Sequence, residues 1–238
     1  MVKIAGLLVT LVLAAGIGMV AAIRAVLPAP ATATPTALPL AISAAAGTIP
    51  VAFVMTGGAT MIDFAGPWEV FQDAQSGGSA GGFHLYTVGA SRDPIRTSGG
   101  MTVVPDFTFA DAPAPKVVVI GAQQGAPALA DWLRHVRRDA DVVMSVCTGA
   151  FHLGSAGLLD GKPATTHHHF YDRLEQRFPR VRVQRGRRFV QSDDVVYTAG
   201  GLSSGIDLAL HVVERYFGRA AAEQTAAYME YQGTDWKK

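Results

Sequence analysis

The chain has 238 residues, of which 49% are hydrophobic and 16% are charged, and its formal net charge is +1. Such a chain is long enough to bury a core, and a net charge near zero gives no indication of a nucleic-acid partner. The single cysteine excludes a disulfide within the chain. We expect no cofactor.

The N-terminal segment is strongly apolar. Residues 4–23 carry no charge, and Arg24 follows them. About twenty such residues can span a bilayer, whereas a cleavable signal peptide has an apolar core of ~7–15 residues. Residues 1–24 are therefore predicted to be a transmembrane anchor or, alternatively, a signal peptide. Both alternatives place the following domain outside the cytoplasm, either membrane-anchored or secreted or periplasmic.

Residues 25–47, rich in Pro, Ala and Thr, are predicted to be a linker, and a folded domain is predicted over 48–232 with a tail at 233–238. Apolar runs predict strands at 49–55, 83–88, 116–120, 142–146 and 195–198. Helical patterns occur at 64–75, 127–139, 149–156, 170–178, 205–217 and 219–230. Shorter segments are predicted to form two hairpins, one joining 101–104 to the region of residue 95 and one joining 181–183 to 189–190.

This alternation of strands and helices predicts an α/β fold. We expect a three-layer sandwich in which a mostly parallel sheet has helices on both faces. Ligands of such folds bind at the carboxyl ends of the strands.

Cys147 directly follows the apolar run 142–146 and precedes Thr148 and Gly149. This pattern predicts a nucleophile elbow, a sharp strand-to-helix turn that raises its side chain above the sheet. A helix N-terminus favours thiolate over thiol, so a lowered pKa is expected for Cys147. The Thr148 N–H is the expected oxyanion donor, and Gly149 would let the helix pack close to the strand. The alternative interpretation is a buried, inert cysteine.

Two further positions are predicted at the same edge of the sheet. Asp63 follows the first strand and a glycine-rich turn. A carboxyl group desolvated there would have a raised pKa and could exchange a proton with the thiol, although a helix N-cap is the alternative role. Gly121, after the strand at 116–120, is the candidate second oxyanion donor. No metal site is expected: a zinc site at the run 167–169, three adjacent histidines, is disfavoured because zinc usually takes spaced ligands.

Five segments resemble motifs of the PfpI / class I glutamine amidotransferase-like superfamily, namely DFAGPWEVF at 63–71, SGGMTVVPD at 98–106, SVCTGA at 145–150, LLDGKPATTH at 158–167 and TAGGLSSGIDL at 198–208. The first and last are most similar to the isonitrile hydratase branch and to sensor domains of AraC-type regulators. The resemblance implies a flavodoxin-like fold, a pairing of Cys147 with Asp63, and a position near the cysteine for His167, as a base. The chain differs from the family at 121–125, where GAQQG replaces the usual Pro-Gly-Gly.

Together, these residues and the resemblance imply a cysteine-dependent small-molecule hydratase or hydrolase, similar to isonitrile hydratase. Cys147 would attack an electrophilic carbon, and Asp63 would give and take the proton. Two alternatives stay open: a non-catalytic redox or ligand sensor, and a glyoxalase or deglycase acting on reactive carbonyls. The expected partners are a small-molecule substrate and, through the N-terminal helix, the membrane. The oligomeric state is open, with a homodimer implied by the resemblance.

Overall fold

The computed structural model describes residues 47–76 and 81–237. The predicted anchor or signal at 1–24 and residues 25–46 of the predicted linker lie outside these described residues. Among the helices that the structure describes, none is both long and apolar enough to cross a membrane.

The described part of the chain alternates strands and helices, as the sequence predicts. Its strands are β1 (Ile49–Val54), β2 (Phe83–Gly89), β3 (Ile95–Arg96), β4 (Thr102–Val103), β5 (Phe107–Thr108), β6 (Val117–Ile120), β7 (Val142–Ser145), β8 (Pro163–Ala164), β9 (Arg182–Val183), β10 (Phe189–Gln191) and β11 (Val196–Ala199). Its helices are α1 (Met61–Ser76), α2 (Leu129–Val136), α3 (Ala150–Ser155), α4 (Tyr171–Arg177), α5 (Ser204–Phe217) and α6 (Arg219–Tyr228). Short 3-10 turns lie at Cys147–Gly149, His168–Phe170 and Asp235–Lys237.

Seven strands form the main sheet in the order β10-β11-β7-β6-β1-β2-β5. Every neighbouring pair is parallel except β10 and β11, which are antiparallel. The register aligns the carboxyl ends of the central strands, because Val54 pairs with Ile120, and Ile120 with Ser145. The residues that follow β1, β6 and β7 therefore meet at one edge of the sheet.

Apolar residues on both faces of the sheet bury the central strands. Along β1, Val51 and Phe53 belong to one core cluster, whereas Ala52 and Val54 belong to another. Successive side chains of a strand point to opposite faces, so a strand covered on both sides is apolar throughout. Helices α1, α5 and α6 contribute to the first cluster, and α2, α3 and α4 to the second. The predicted three-layer α/β fold is confirmed.

Local pairing differs from the prediction in one hairpin. The pairing of residue 95 with 101–104 is confirmed, since β3 and β4 are antiparallel partners. The predicted hairpin between 181–183 and 189–190 is wrong. Instead, β9 pairs in parallel with β8, and β10 pairs with β11. Strands of two or three residues carry too little pattern to specify their partners.

The packed region also continues past residue 232, where a tail was predicted. Trp236 is 1% exposed and belongs to the first core cluster. Its indole N–H donates to the Gly233 carbonyl at 2.9 Å, and the guanidinium of Arg219 lies 5.5 Å from the ring centroid. Burial of this large side chain holds the segment 233–237 against the domain.

Candidate functional site

Cys147 stands at a strained turn between β7 and α3. Its backbone has φ of 58°, a left-handed conformation that is uncommon outside glycine. Two hydrogen bonds hold it there: its N–H donates to the Gly200 carbonyl at 2.8 Å, and its carbonyl accepts from Thr166 Oγ1 at 2.8 Å. The geometry is that of the predicted elbow, and the surrounding chain compensates for the strain.

Gly149 lets this turn lie directly against β6. A Cβ atom at this position would stand 2.2 Å from the Ile120 carbonyl oxygen and 3.0 Å from that of Gly121. Both are main-chain atoms at the end of a central strand, and they have little room to shift. The close approach predicted for Gly149 is therefore present, and a side chain would displace the elbow.

Asp63 lies in the first turn of α1 and is fully buried. Its Oδ2 accepts a hydrogen bond from the Ala122 N–H at 2.9 Å, a contact that reaches across to the loop after β6. Its Oδ1 is buried with no hydrogen-bond partner in the described part of the chain. The carboxyl is bonded to that loop rather than to the start of its own helix, so the contacts do not favour the alternative of an N-cap.

Gly121 makes room for this carboxylate. A Cβ atom there would lie 2.7 Å from Asp63 Cβ, well inside contact distance. The neighbouring Ala122 N–H is already bonded to Asp63. The structure thus places Gly121 beside the acid, and its predicted role as an oxyanion donor stays a prediction.

Burial dominates the electrostatics of the Cys147–Asp63 pair. It raises the pKa of Asp63 to about 6, against smaller opposing effects of the Ala122 N–H, the Cys147 thiol and the Leu202 N–H. Burial and the Asp63 charge raise the pKa of the Cys147 thiol to about 11, although the Thr148 and Leu202 N–H groups favour thiolate. Asp63 Oδ1 has no hydrogen bond in the described chain, so the thiol and the carboxyl change each other's pKa through their proximity.

The expectation of a lowered pKa for Cys147 is therefore wrong. The turn after β7 has three residues and α3 only six, so few aligned N–H groups face the sulfur. Desolvation and a neighbouring carboxylate outweigh them. Two groups so closely coupled titrate as a pair, and the pair retains one proton near neutral pH.

Leu202 is a member of the site that the sequence did not reveal. Its backbone has φ of 54°, and its N–H lowers the pKa of both Cys147 and Asp63. The side chain is 44% exposed. A left-handed conformation is signalled by glycine or asparagine, and leucine gives no such signal. The only local indication is the preceding Gly200-Gly201 pair.

His167 lies beside the site, and no hydrogen bond joins it to the thiol among the described residues. Its Nδ1 accepts from the His169 N–H at 3.3 Å, and its ring packs so tightly on Gly201 that a Cβ there would be 2.2 Å from Cδ2. Burial and the nearby charges of His168 and His169 lower its pKa. Its neighbour Thr166 makes the hydrogen bond to Cys147. The role of His167 as a base stays a prediction.

The three histidines are close enough to be considered as metal ligands. One nitrogen from each ring lies within 4.8 Å of the others. His167 and His168 line a pocket of about 320 Å³ together with Arg187 and Arg188. Arg188 is paired with Asp207, so Arg187 is the positive charge that disfavours a cation there. The geometry admits a metal, and the expectation that none binds stays a prediction.

Fold and site together define a flavodoxin-like α/β protein with a buried cysteine–aspartate pair at the carboxyl edge of its sheet. The family model of the DJ-1/PfpI family matches residues 50–215, and the chain belongs to this family. It is 30% identical over 187 residues to isonitrile hydratase of Pseudomonas putida, and the aligned region covers 76% of this chain and 78% of the relative. It is 27% identical over 149 residues to the HTH-type transcriptional regulator CdhR of Pseudomonas aeruginosa, with 60% of this chain and 44% of the regulator covered.

Among solved structures, a THiJ/PfpI family protein from Pseudomonas syringae superposes with a TM-score of 0.66 at 28% sequence identity. The match covers 79% of this chain and 77% of that one. The relatives thus include both an enzyme and a transcriptional regulator.

Proposed function

We propose that this protein is a cysteine-dependent hydratase or hydrolase of small molecules, with an isonitrile as the favoured substrate type. The observation that carries the proposal is the buried pair of Cys147 and Asp63, whose carboxyl has a pKa of about 6. A general base or acid is most effective when its pKa lies near the working pH. The similarity to isonitrile hydratase supports the choice of substrate type.

In the proposed reaction, the Cys147 sulfur bonds to the isonitrile carbon while Asp63 takes the thiol proton and passes it to that same carbon. The product of this step is a thioimidate. Water then adds to its carbon–nitrogen double bond, with hydroxyl on carbon and hydrogen on nitrogen. The carbon–sulfur bond breaks, the hydroxyl proton returns to sulfur through Asp63, and an N-substituted formamide leaves. Atoms balance as isonitrile plus water giving formamide.

The raised pKa of the Cys147 thiol, about 11, is compatible with this reaction. A free thiolate would need a much lower value, but here the base accepts the proton as sulfur attacks. The Thr148 and Leu202 N–H groups, which face the sulfur, would stabilise negative charge that develops beside it.

Turnover of cyclohexyl isonitrile by the full-length chain in mild detergent tests the proposal. We expect formamide production that Cys147→Ala abolishes and that Asp63→Asn lowers by ~10²–10⁴-fold. Glu69→Gln, which changes an exposed carboxylate on the same helix, should leave the rate unchanged. Absence of turnover by a folded wild-type protein would contradict the proposal for isonitriles, and methylglyoxal would then test the glyoxalase alternative.

A sensor without catalysis is the second candidate, favoured by the similarity to CdhR and by the high thiol pKa. A thiol that remains protonated at neutral pH is a slow nucleophile. If this alternative holds, none of these substrates is turned over, and a ligand raises the melting temperature instead.

A further inference from the structure

A second pocket opens directly beside the elbow. It has a volume of about 280 Å³, and its lining includes Thr148, Phe151, His152, Phe170, Arg173 and Arg177. Thr148 is the residue after the nucleophile, and its N–H favours the Cys147 thiolate, so the pocket begins one residue away from the reacting group. The volume lies just below the usual range for ligand sites, about 300–1,000 Å³, which suits a molecule with one ring or a short chain.

The lining of this pocket combines aromatic and ionisable side chains. Phe151 and Phe170 form an edge-to-face pair with ring centroids 6.4 Å apart, and they supply an apolar wall. Burial lowers the pKa of His152, so this imidazole is neutral at physiological pH. No acidic side chain is among the described residues that line the pocket.

Helix α4 supplies the positive charge. Its sequence is YDRLEQR, in which Arg173 and Arg177 are four residues apart and share one face. The two acidic residues of the helix are already engaged, because Arg185 bonds to Asp172 at 2.7 Å and to Glu175 at 2.8 Å. Arg173 and Arg177 have no ion-pair partner in the part of the chain that the structure describes.

We propose that this pocket is a subsite for the distal anionic group of the substrate, and that Arg173 and Arg177 bind a carboxylate there. The aromatic wall would hold the apolar part of the molecule, and its reactive end would face Cys147. The inference rests on the proposed function and narrows its substrate class to small isonitriles that carry an apolar part and a carboxylate. Two arginines can meet a carboxylate with charge-assisted, bidentate hydrogen bonds.

The test compares phenylacetate with phenylacetamide, two probes of nearly equal shape that differ in charge. Binding to the full-length chain in nonionic detergent is measured by calorimetry. The position of the probe is read from protection of Cys147 against iodoacetamide, followed by intact mass. The chain has only one cysteine, so the mass shift reports this residue alone. Neither readout needs turnover, so a failure here is separable from a failure of the proposed reaction.

We expect phenylacetate to bind about tenfold more tightly than phenylacetamide and to slow the labelling. The double variant Arg173→Gln with Arg177→Gln should remove this preference. Arg138→Gln is the matched control, since Arg138 is also exposed but lies before β7, at the opposite edge of the sheet. It should leave the preference unchanged.

Equal binding of the two probes by the wild-type protein would overturn the proposal, and this comparison does not depend on how a variant folds. A preference for phenylacetate that persists in the double variant would overturn it as well. Binding of phenylacetate without protection of Cys147 would place the anion site elsewhere, which also contradicts the inference.

Discussion

The Asp63 carboxyl is buried with one oxygen bonded to the Ala122 N–H and the other unpartnered in the described chain. Its pKa of about 6 in the folded protein exceeds the ordinary value of 3.8, so the folded state binds this proton more tightly than the unfolded chain does. Its contribution to stability is therefore full below about pH 4 and is lost as the pH rises through 6. At neutral pH the buried charge costs about 2–3 kcal/mol.

The first prediction concerns stability. Asp63→Asn should increase the free energy of unfolding at pH 7 by up to about 2 kcal/mol, because no charge is then buried. The difference from wild type should shrink toward pH 4, where the native carboxyl is protonated. Urea unfolding at both pH values measures it, with Glu69→Gln as the control. Equal destabilisation at both pH values would show that Asp63 is a structural residue.

The second prediction concerns the thiol. The rate of iodoacetamide labelling of wild-type Cys147 should have a midpoint above ~8.5, the value of a free thiol. The Asp63 charge is one cause of the raised pKa of Cys147, so Asp63→Asn should lower the labelling midpoint by about one pH unit or more. A midpoint at or below the free-thiol value in the wild-type protein would mean that the elbow does favour thiolate.

At the scale of the element, the turn after β7 depends on close packing against β6. Gly149→Ala would place a Cβ atom 2.2 Å from the Ile120 carbonyl oxygen. We expect a loss of at least about 2 kcal/mol in the free energy of unfolding, because a central strand resists displacement. The displaced elbow should also change the labelling rate of Cys147.

Gly125 offers a matched control for this third prediction. A Cβ atom there would meet no atom of the described residues within 4 Å, and the residue lies in the loop after β6. Gly125→Ala should change stability by less than about 0.5 kcal/mol. Denaturant unfolding of both variants checks the pair. Equal effects would show that intrinsic loss of backbone freedom, not contact with β6, decides the outcome.

Elements with a strong local pattern could be predicted, and elements defined by distant contacts could not. The run 142–146 and the small residues after it predicted the elbow, because buried parallel strands are apolar throughout. The parallel pairing of β8 with β9 was missed, since each strand has two residues. The pKa of Cys147 was predicted in the wrong direction because its burial and the approach of Asp63, 84 positions away in the sequence, are tertiary features.

At the scale of the whole molecule, the fourth prediction concerns location. We propose that residues 4–23 anchor the protein in a membrane with the domain outside the cytoplasm, from their uncharged, apolar sequence. The full-length protein should sediment with membranes, resist extraction by high salt and be released by detergent. Intact-mass measurement should show that residues 1–24 are retained.

A soluble product that begins after one of the Ala-x-Ala sites beyond Arg24 would contradict the anchor and leave an exported protein. A soluble cytoplasmic product with the N-terminal segment retained would contradict both. A control that lacks residues 4–23 should no longer sediment with membranes.

One border of the main sheet restricts how copies of this protein could associate. β10 has three residues, so this border offers no long row of unpaired N–H and carbonyl groups in the described chain. A strand from a second molecule would gain few hydrogen bonds by extending the sheet there. A homodimer formed at this border would therefore rely on side-chain complementarity between helices and loops, and its strength would respond to surface substitutions rather than to strand register.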